Sequence, residues 1–295
     1  MIRHLSLIGA LILAMIAAPV MAYWEFGHES VARIARDNIR PSTRAAVTRL
    51  LARQSLLETP QCPARTMEEA SVWADCIKPL GERFSYASSW HYQNVDVCKP
   101  FDLKAACKDG NCVSAQIDRN LRLLQDRAVP QREKVMALAF LIHFVGDLHQ
   151  PLHAGDRGDL GGNRVKAGYG LYAPERFNLH SLWDGPLAER AITTPPPAVR
   201  AYSPAERAEL AKGSVEDWSR ESWQVSRDVA YAQAMGGDPC AKGPERSVLS
   251  DDQIAAAVPA ARDQVVRGGV RLARLLDEAF DPANSFDSRE QRRRR

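Results

Sequence analysis

Apolar residues recur at helical spacing along most of this chain, and no stretch alternates apolar and polar positions for long enough to make a substantial strand. Residues 29–39 put Val31, Ile34, Ala35 and Ile39 on one helical face, and Pro41 ends the pattern. Ser42 is placed to cap a second helix that runs to Leu51. Residues 67–77 predict a third helix and residues 113–125 a fourth. Residues 133–148 are the most apolar helical stretch, with Val135, Leu138, Ala139, Ile142 and Val145 suited to the core. Pro151 disfavours helix at Gln150, so this helix is expected to end near His149, with His153 in the turn beyond. Residues 178–191 predict a further helix. Residues 205–235 and 254–280 predict the last long ones, with Pro259 and Gly268-Gly269 able to bend the final one. Between them, residues 155–172 read as a long loop whose Gly161-Gly162-Asn163 lets backbone approach a ligand. The proline-rich stretch 194–197 reads as a connector inside the domain. There is no internal repeat, and the expected architecture is all-α in a single domain.

The first 22 residues stand apart from this pattern. Arg3 and His4 precede an apolar run from Leu5 to Ala18, and Pro19-Val20-Met21-Ala22 presents compact residues where a signal peptidase reads. The run is short for a membrane span. Residues 1–22 are therefore expected to be a signal peptide, with residues 23–295 as the mature domain. An uncleaved N-terminal anchor is the competing reading. Export to the periplasm or beyond the cell follows, with no membrane anchor after processing. Six cysteines, all in the mature region, suit three disulfides in such a protein. Sequence alone leaves their pairing open, although Cys107 and Cys112 flank the turn-forming Lys108-Asp109-Gly110-Asn111. No CxxC pair is present, which argues against a cysteine metal site. The net charge of +3 indicates no class of partner. Part of it lies in residues 292–295, within a tail expected to be solvated and disordered from about residue 285.

Histidine is where the sequence becomes chemically specific. Of seven histidines, the six beyond residue 22 are His28, His91, His143, His149, His153 and His180, each close to acids or aromatics. His143 precedes Asp147, and His180 precedes Asp184, by one helical turn, so imidazole and carboxylate share a face. One such pair alone is better explained as a surface ion pair. His143 and Asp147, however, lie in the most apolar helix, where an unpaired charge costs several kcal/mol. A metal ion resolves that conflict. With His91, His153 and Asp75 nearby in type and no thiolate pair, the donor set is that of a catalytic zinc centre.

Taken together, these residues resemble the S1/P1 nucleases, zinc-dependent secreted enzymes. The resemblance rests on Gly27-His28-Glu29, Ser71-Val72-Trp73-Ala74-Asp75, Trp90-His91-Tyr92, the run from His143 to His153, Gly161-Gly162-Asn163 and Asn178-Leu179-His180-Ser181-Leu182-Trp183-Asp184. It continues through Asp217-Trp218-Ser219-Arg220-Glu221-Ser222 and Arg271-Leu272-Ala273-Arg274-Leu275-Leu276. It implies a mostly helical fold of the phospholipase C/P1 nuclease type with a trinuclear metal cleft. Asp75, His91, His143 and Asp147 would hold one zinc, and His153, His180 and Asp184 a second. The third would take His28, the other oxygen of Asp147, and the backbone amine and carbonyl of Tyr23. Asp147 is thus the bridge, and Asp75 and Asp147 are the expected catalytic carboxylates around the attacking water. The family usually begins with Trp; cleavage after Ala22 restores the spacing to His28 with Tyr23 in its place.

The same resemblance places Tyr92 as an aromatic that stacks on a nucleobase, although a core tyrosine is the plainer explanation of that residue alone. Asn94 and Asn163 become polar contacts to base or phosphate. Lys78 becomes a phosphate partner, a position a solvated lysine would fill as well. His149 matches no ligand and is read as a support for ligands or fold. The disulfides implied are Cys98–Cys240 and, with Cys107–Cys112 paired locally, Cys62–Cys76. The activity implied is cleavage of single-stranded DNA and RNA to 5′-phosphate products by a monomer, with 3′-mononucleotides as further substrates. A zinc-dependent phospholipase C is the alternative. Asp184, where that lipase pattern has Glu, and the closeness of His28 to the mature start favour the nuclease. A non-catalytic periplasmic zinc-binding protein would carry flexible His-rich tracts, and none is present.

Overall fold

The structure, a computed structural model, describes residues 25–293; the expected signal segment 1–22 and the Tyr23 ligand position lie outside the described residues. Helices α1 (Glu25–Asn38), α2 (Pro41–Leu51) and α3 (Met67–Cys76) precede a run of 3-10 turns, Lys78–His91. Helices α4 (Leu103–Ala106) and α5 (Val113–Gln125) lead into α6 (Gln131–Leu148), followed at once by the single turn α7 (Pro151–Ala154). Next come α8 (Leu179–Asp184), α9 (Pro186–Thr193), α10 (Pro204–Leu210) and α11 (Val215–Val225). A π-helical turn, Ser226–Tyr231, carries α11 into α12 (Ala232–Met235), and α13 (Asp251–Ala279) and α14 (Ser288–Arg293) follow.

Helix α6 is the axis of the fold. Every residue from Ala137 to Leu148 is buried, as its near-continuous apolar sequence requires, and α5, α3, α13 and α1 pack around it. Each fully buried Leu or Ile there contributes about 2 kcal/mol of transfer free energy. The strands are too short to form a layer. β1 (Val95–Asp96) pairs in parallel with β2 (Gly155–Asp156), and β3 (Ala167–Tyr169) with β4 (Ser247–Leu249). Their role is local: the β1–β2 ladder, with Gln93 N–H donating to His153 O at 2.9 Å, lays the chain after His91 beside the chain after His153. Cystines join Cys62–Cys76, Cys98–Cys240 and Cys107–Cys112, so all six thiols are paired. Cys62–Cys76 clamps the end of α3 next to Asp75.

Several expectations are corrected. Ser42 does not cap α2; Pro41 occupies its first turn, Arg40 is the cap residue in extended conformation, and no side chain bonds there. The helix expected over 178–191 is broken at Gly185, after which Pro186 starts α9. The helix expected over 205–235 is interrupted before Ser214, which caps α11 with Asp217 in a reciprocal box. His153 lies not in a plain turn but in the one-turn α7, which Pro151 opens. Helix α13 runs without a break through Pro259 and Gly268-Gly269. Gly269 instead lets α13 sit directly on Ile34 of α1, and a Cβ at Gly268 would be 3.2 Å from that of His149. The tail expected to be disordered from about residue 285 is held at its start. Phe286 N–H donates to Gln125 O at 3.2 Å, Arg127 N–H to Phe286 O at 2.7 Å, and α14 follows.

Candidate metal centre

Five helices and one 3-10 segment bring the acids and imidazoles together. α1 contributes His28, α3 contributes Asp75, and the Lys78–His91 segment ends on His91. The C-terminal half of α6 presents His143 and Asp147, α7 presents His153, and α8 presents His180 and Asp184. They form three groups with donor atoms close enough to share an ion: Asp75, His91 and His143; His28, His143 and Asp147; His153, His180 and Asp184. All are buried except His180, which is partly so.

Asp147 stands between the groups. Its Oδ2 is 2.9 Å from both His91 Nδ1 and His143 Nε2, while its Oδ1 is 3.1 Å from His153 Nδ1 and 3.5 Å from His28 Nε2. Asp75 Oδ1 lies 3.6 Å from both His91 Nδ1 and His143 Nε2. In the third group, His180 Nε2 is 3.3 Å from Asp184 Oδ2 and His153 Nε2 is 3.9 Å from Asp184 Oδ1.

Backbone carbonyls fix which nitrogen of each ring faces inward. A carbonyl oxygen only accepts, so His143 Nδ1–H donates to Ser71 O at 2.6 Å, His153 Nδ1–H to His91 O at 2.8 Å and His180 Nδ1–H to Gly161 O at 2.7 Å. In the neutral rings this leaves three Nε2 lone pairs directed at carboxylates. A lone pair facing an anionic oxygen at 2.9 Å, as between His143 and Asp147, is repulsive unless a cation lies between them or the ring gains a second proton. Among the described residues, the buried cluster atoms Asp147 Oδ1 and His153 Nε2 accept no hydrogen bond. The residues therefore fit a divalent cation of the kind nitrogen and carboxylate donors prefer.

Titration follows the same geometry. Burial opposes ionisation of Asp147, but His143, His153 and His91 outweigh it and hold the carboxyl well below its ordinary range. Burial drives His91 down to about 4. Burial also lowers His153, yet Asp147 and Asp184 more than compensate and lift it to about 9. At neutral pH without a cation Asp147 is thus ionised and His91 keeps an open lone pair, whereas His153 carries a second proton that a bound metal would have to displace.

A cleft of about 320 Å3 opens beside the His153, His180 and Asp184 group. Lys78, Tyr92, Asn94 and Asn163, the four residues expected to meet substrate, all line it. Tyr92 is 41% exposed, so the core alternative is set aside. Lys78 Nζ pairs with Asp75 Oδ1 at 2.5 Å, and Asn163 Nδ2 donates to Leu160 O at 2.8 Å. Ser88, Leu152, Leu160 and Ser181 complete the lining and carried no signal in the sequence.

Two supports were also missed. Gln150 donates from Nε2 to Asp184 Oδ1 at 2.5 Å and accepts from Leu152 N–H at 2.6 Å, so it aims Asp184 while capping α7. Gly146 lies under His28: a Cβ there would come within 2.6 Å of the imidazole Nδ1. His149 is not in the centre. It donates from Nδ1 to Val145 O at 2.7 Å and accepts from Arg271 at 3.0 Å, and Arg271 in turn meets Glu221. Burial and Arg271 push His149 down to about 3, so it stays neutral.

Comparison with known proteins agrees with this arrangement. The family model for S1/P1 Nuclease matches residues 23–281. The chain is 26% identical to "Endonuclease 2" of Arabidopsis thaliana over 305 residues, covering 94% of this chain and 97% of that protein. It is 26% identical to "Endonuclease 3" of the same plant, over 93% of this chain and 94% of the relative. Against "Nuclease S1" of Aspergillus oryzae it is 24% identical over 85% of this chain and 89% of that enzyme. The chain belongs to the S1/P1 nuclease family.

Proposed function

We propose that this protein is a zinc-dependent endonuclease that cleaves single-stranded DNA and RNA to 5′-phosphate products and removes phosphate from 3′-mononucleotides. The observation that carries the reading is Asp147, one carboxylate shared between two groups of imidazoles, beside a cleft with an exposed tyrosine ring. Asp75, His91, His143 and Asp147 would hold one zinc, His153, His180 and Asp184 another, and His28 and Asp147 a third together with the Tyr23 backbone. The nitrogen-rich donor set favours zinc over magnesium or calcium. Bound zinc supplies the Lewis acidity that generates a nucleophile from water near neutral pH and neutralises charge on the transferred phosphoryl group.

The chain's own residues do the rest. Tyr92 offers a face on which any base stacks, which suits cutting with little sequence preference. Base pairing would hide that base, so single strands are preferred. Lys78 can exchange its bond to Asp75 for a phosphate oxygen, and Gln150 keeps Asp184 pointed at its imidazole partners. Three disulfides and the apolar N-terminal segment support export; no described helix is long and apolar enough to cross a membrane.

The test is a side-by-side assay of the mature protein on single-stranded DNA, duplex DNA, RNA, a 3′-mononucleotide and phosphatidylcholine, with metal analysis of the same sample. Cleavage of the single-stranded substrates with near three zincs per chain is expected. Turnover of phosphatidylcholine alone would overturn the nuclease, and a fully active protein with a single zinc would overturn the trinuclear centre. Tyr92→Ala is expected to keep its zinc and kcat while raising KM roughly tenfold, the scale of one lost base stack. A lower zinc content in that variant would mean that the ring supports the ligands rather than the substrate.

A further inference from the structure

The Lys78–His91 segment borders a second cleft of about 610 Å3, larger than the one beside the metal centre. The segment is a shared wall: Lys78, Ser88 and His91 line the first cleft, whereas Arg83, Phe84, Tyr86 and Trp90 line the second. The second cleft has an aromatic floor, with Trp73 and Phe140 fully buried, and Tyr86 stands 47% exposed with its ring centre 5.0 Å from that of Trp90. Its charged lining is three arginines, Arg83, Arg119 and Arg132, against one acid, Glu133.

The arginines are not spent on the fold in equal measure. Arg119 lies 5.5 Å over the Trp90 ring and has no ion pair among the described residues. Arg132 and Arg83 both reach the same surface oxygen, Glu58 Oε2, at 3.0 and 3.5 Å, and Arg83 also donates to the carbonyls of Leu57 and Glu58 at 2.8 and 3.1 Å. An exposed carboxylate bridging two guanidiniums occupies the place a phosphate would take, and it is readily displaced because it is solvated. The size is that of a small-ligand site.

We infer that this cleft binds a second nucleotide of the single-stranded substrate, its base against Tyr86 and its phosphate between the three arginines. The inference rests on the nuclease reading. Exposed aromatic rings and stacked guanidiniums accept any base, and forked arginines hold phosphate through paired donors. Contiguity along one wall lets a single strand occupy both clefts, so affinity rises with strand length.

The test is the length advantage of the zinc-loaded enzyme, defined as the KM for a 3′-mononucleotide divided by that for a strand of about ten nucleotides. Tyr86→Ala and Arg119→Ala are each expected to reduce it roughly tenfold, the scale of one stack or one charged contact. Glu58→Gln, which removes the carboxylate charge from Arg132 and Arg83, is expected to raise it, a gain that damage to the fold cannot produce. An unchanged ratio in both alanine variants overturns the second cleft while leaving the nuclease reading intact. Failure of the unmodified enzyme to cleave either substrate overturns the nuclease reading itself. Retention of phosphatidylglycerol vesicles that Arg119→Ala abolishes, with the ratio unchanged, would assign the cleft to a lipid surface instead.

Discussion

Replacing Asp147 by Asn is expected to lower turnover on the order of a thousandfold and to strip metal from the protein. The substitution keeps shape almost constant while changing what the two oxygens can do. Oδ2 faces His91 and His143, and Oδ1 faces His28 and His153. An amide keeps one oxygen and turns the other into a donor that offers no lone pair, so one side of the bridge is lost whichever way the amide rotates. The remaining oxygen also carries no formal charge to offset a divalent ion. The His153, His180 and Asp184 group should survive, leaving about one zinc where three are expected. Near-native turnover with full metal content would show that Asp147 is not the bridge.

The second large effect is on stability. Removing metal with a strong chelator is expected to lower the midpoint of thermal unfolding by roughly 10 °C, since a ligand held a thousandfold above its Kd contributes about 4 kcal/mol. The structure says why the apo centre is costly. Asp147 and His143 are fully buried, and the carbonyls of Ser71, His91 and Gly161 keep three rings turned with lone pairs inward. Without a cation those lone pairs face anionic oxygen, and only protonation relieves it. Zinc should restore the midpoint and magnesium should not, because imidazole nitrogen is a poor magnesium donor. A midpoint that ignores the chelator would mean that the cluster is satisfied by its own hydrogen bonds.

What was legible in the sequence is what periodicity or rarity marks. Val113–Gln125 and the buried length of Gln131–Leu148 follow from apolar spacing sustained over several turns. His28, His91, His143, His153 and His180 stand out because the chain has so little other histidine. What depends on geometry was not visible. The Lys78–His91 segment makes 3-10 turns interrupted by Gly81 at φ +80°, so its side chains follow no repeat, yet it walls both clefts. Leu179, Leu182, Leu187 and Ala191 read as one helical stripe, and nothing in that stripe shows that Gly185 divides it. Gln150 is one polar residue before a proline until the fold places Asp184 beside it. The acceptors that orient the imidazoles are carbonyls, which every residue has, so no choice of side chain announces them.

The seating of α13 on α1, with Arg271 closing on His149 at the end of α6, also sets a schedule. A chain is made from its first residue onward, and its earliest described helix, although it also packs on α3, α6 and α9, cannot bury the whole of its apolar face until the last long one has emerged. The ligands from His28 to Asp184 are thus complete long before the surface that locks them exists. Contacts so distant along the chain make folding slow, because the whole intervening loop must close before any of its cost is returned. Lasting capture of an ion at the proposed centre is therefore expected late in folding. A truncation that stops short of residue 271 would retain every ligand and still lack a lasting centre.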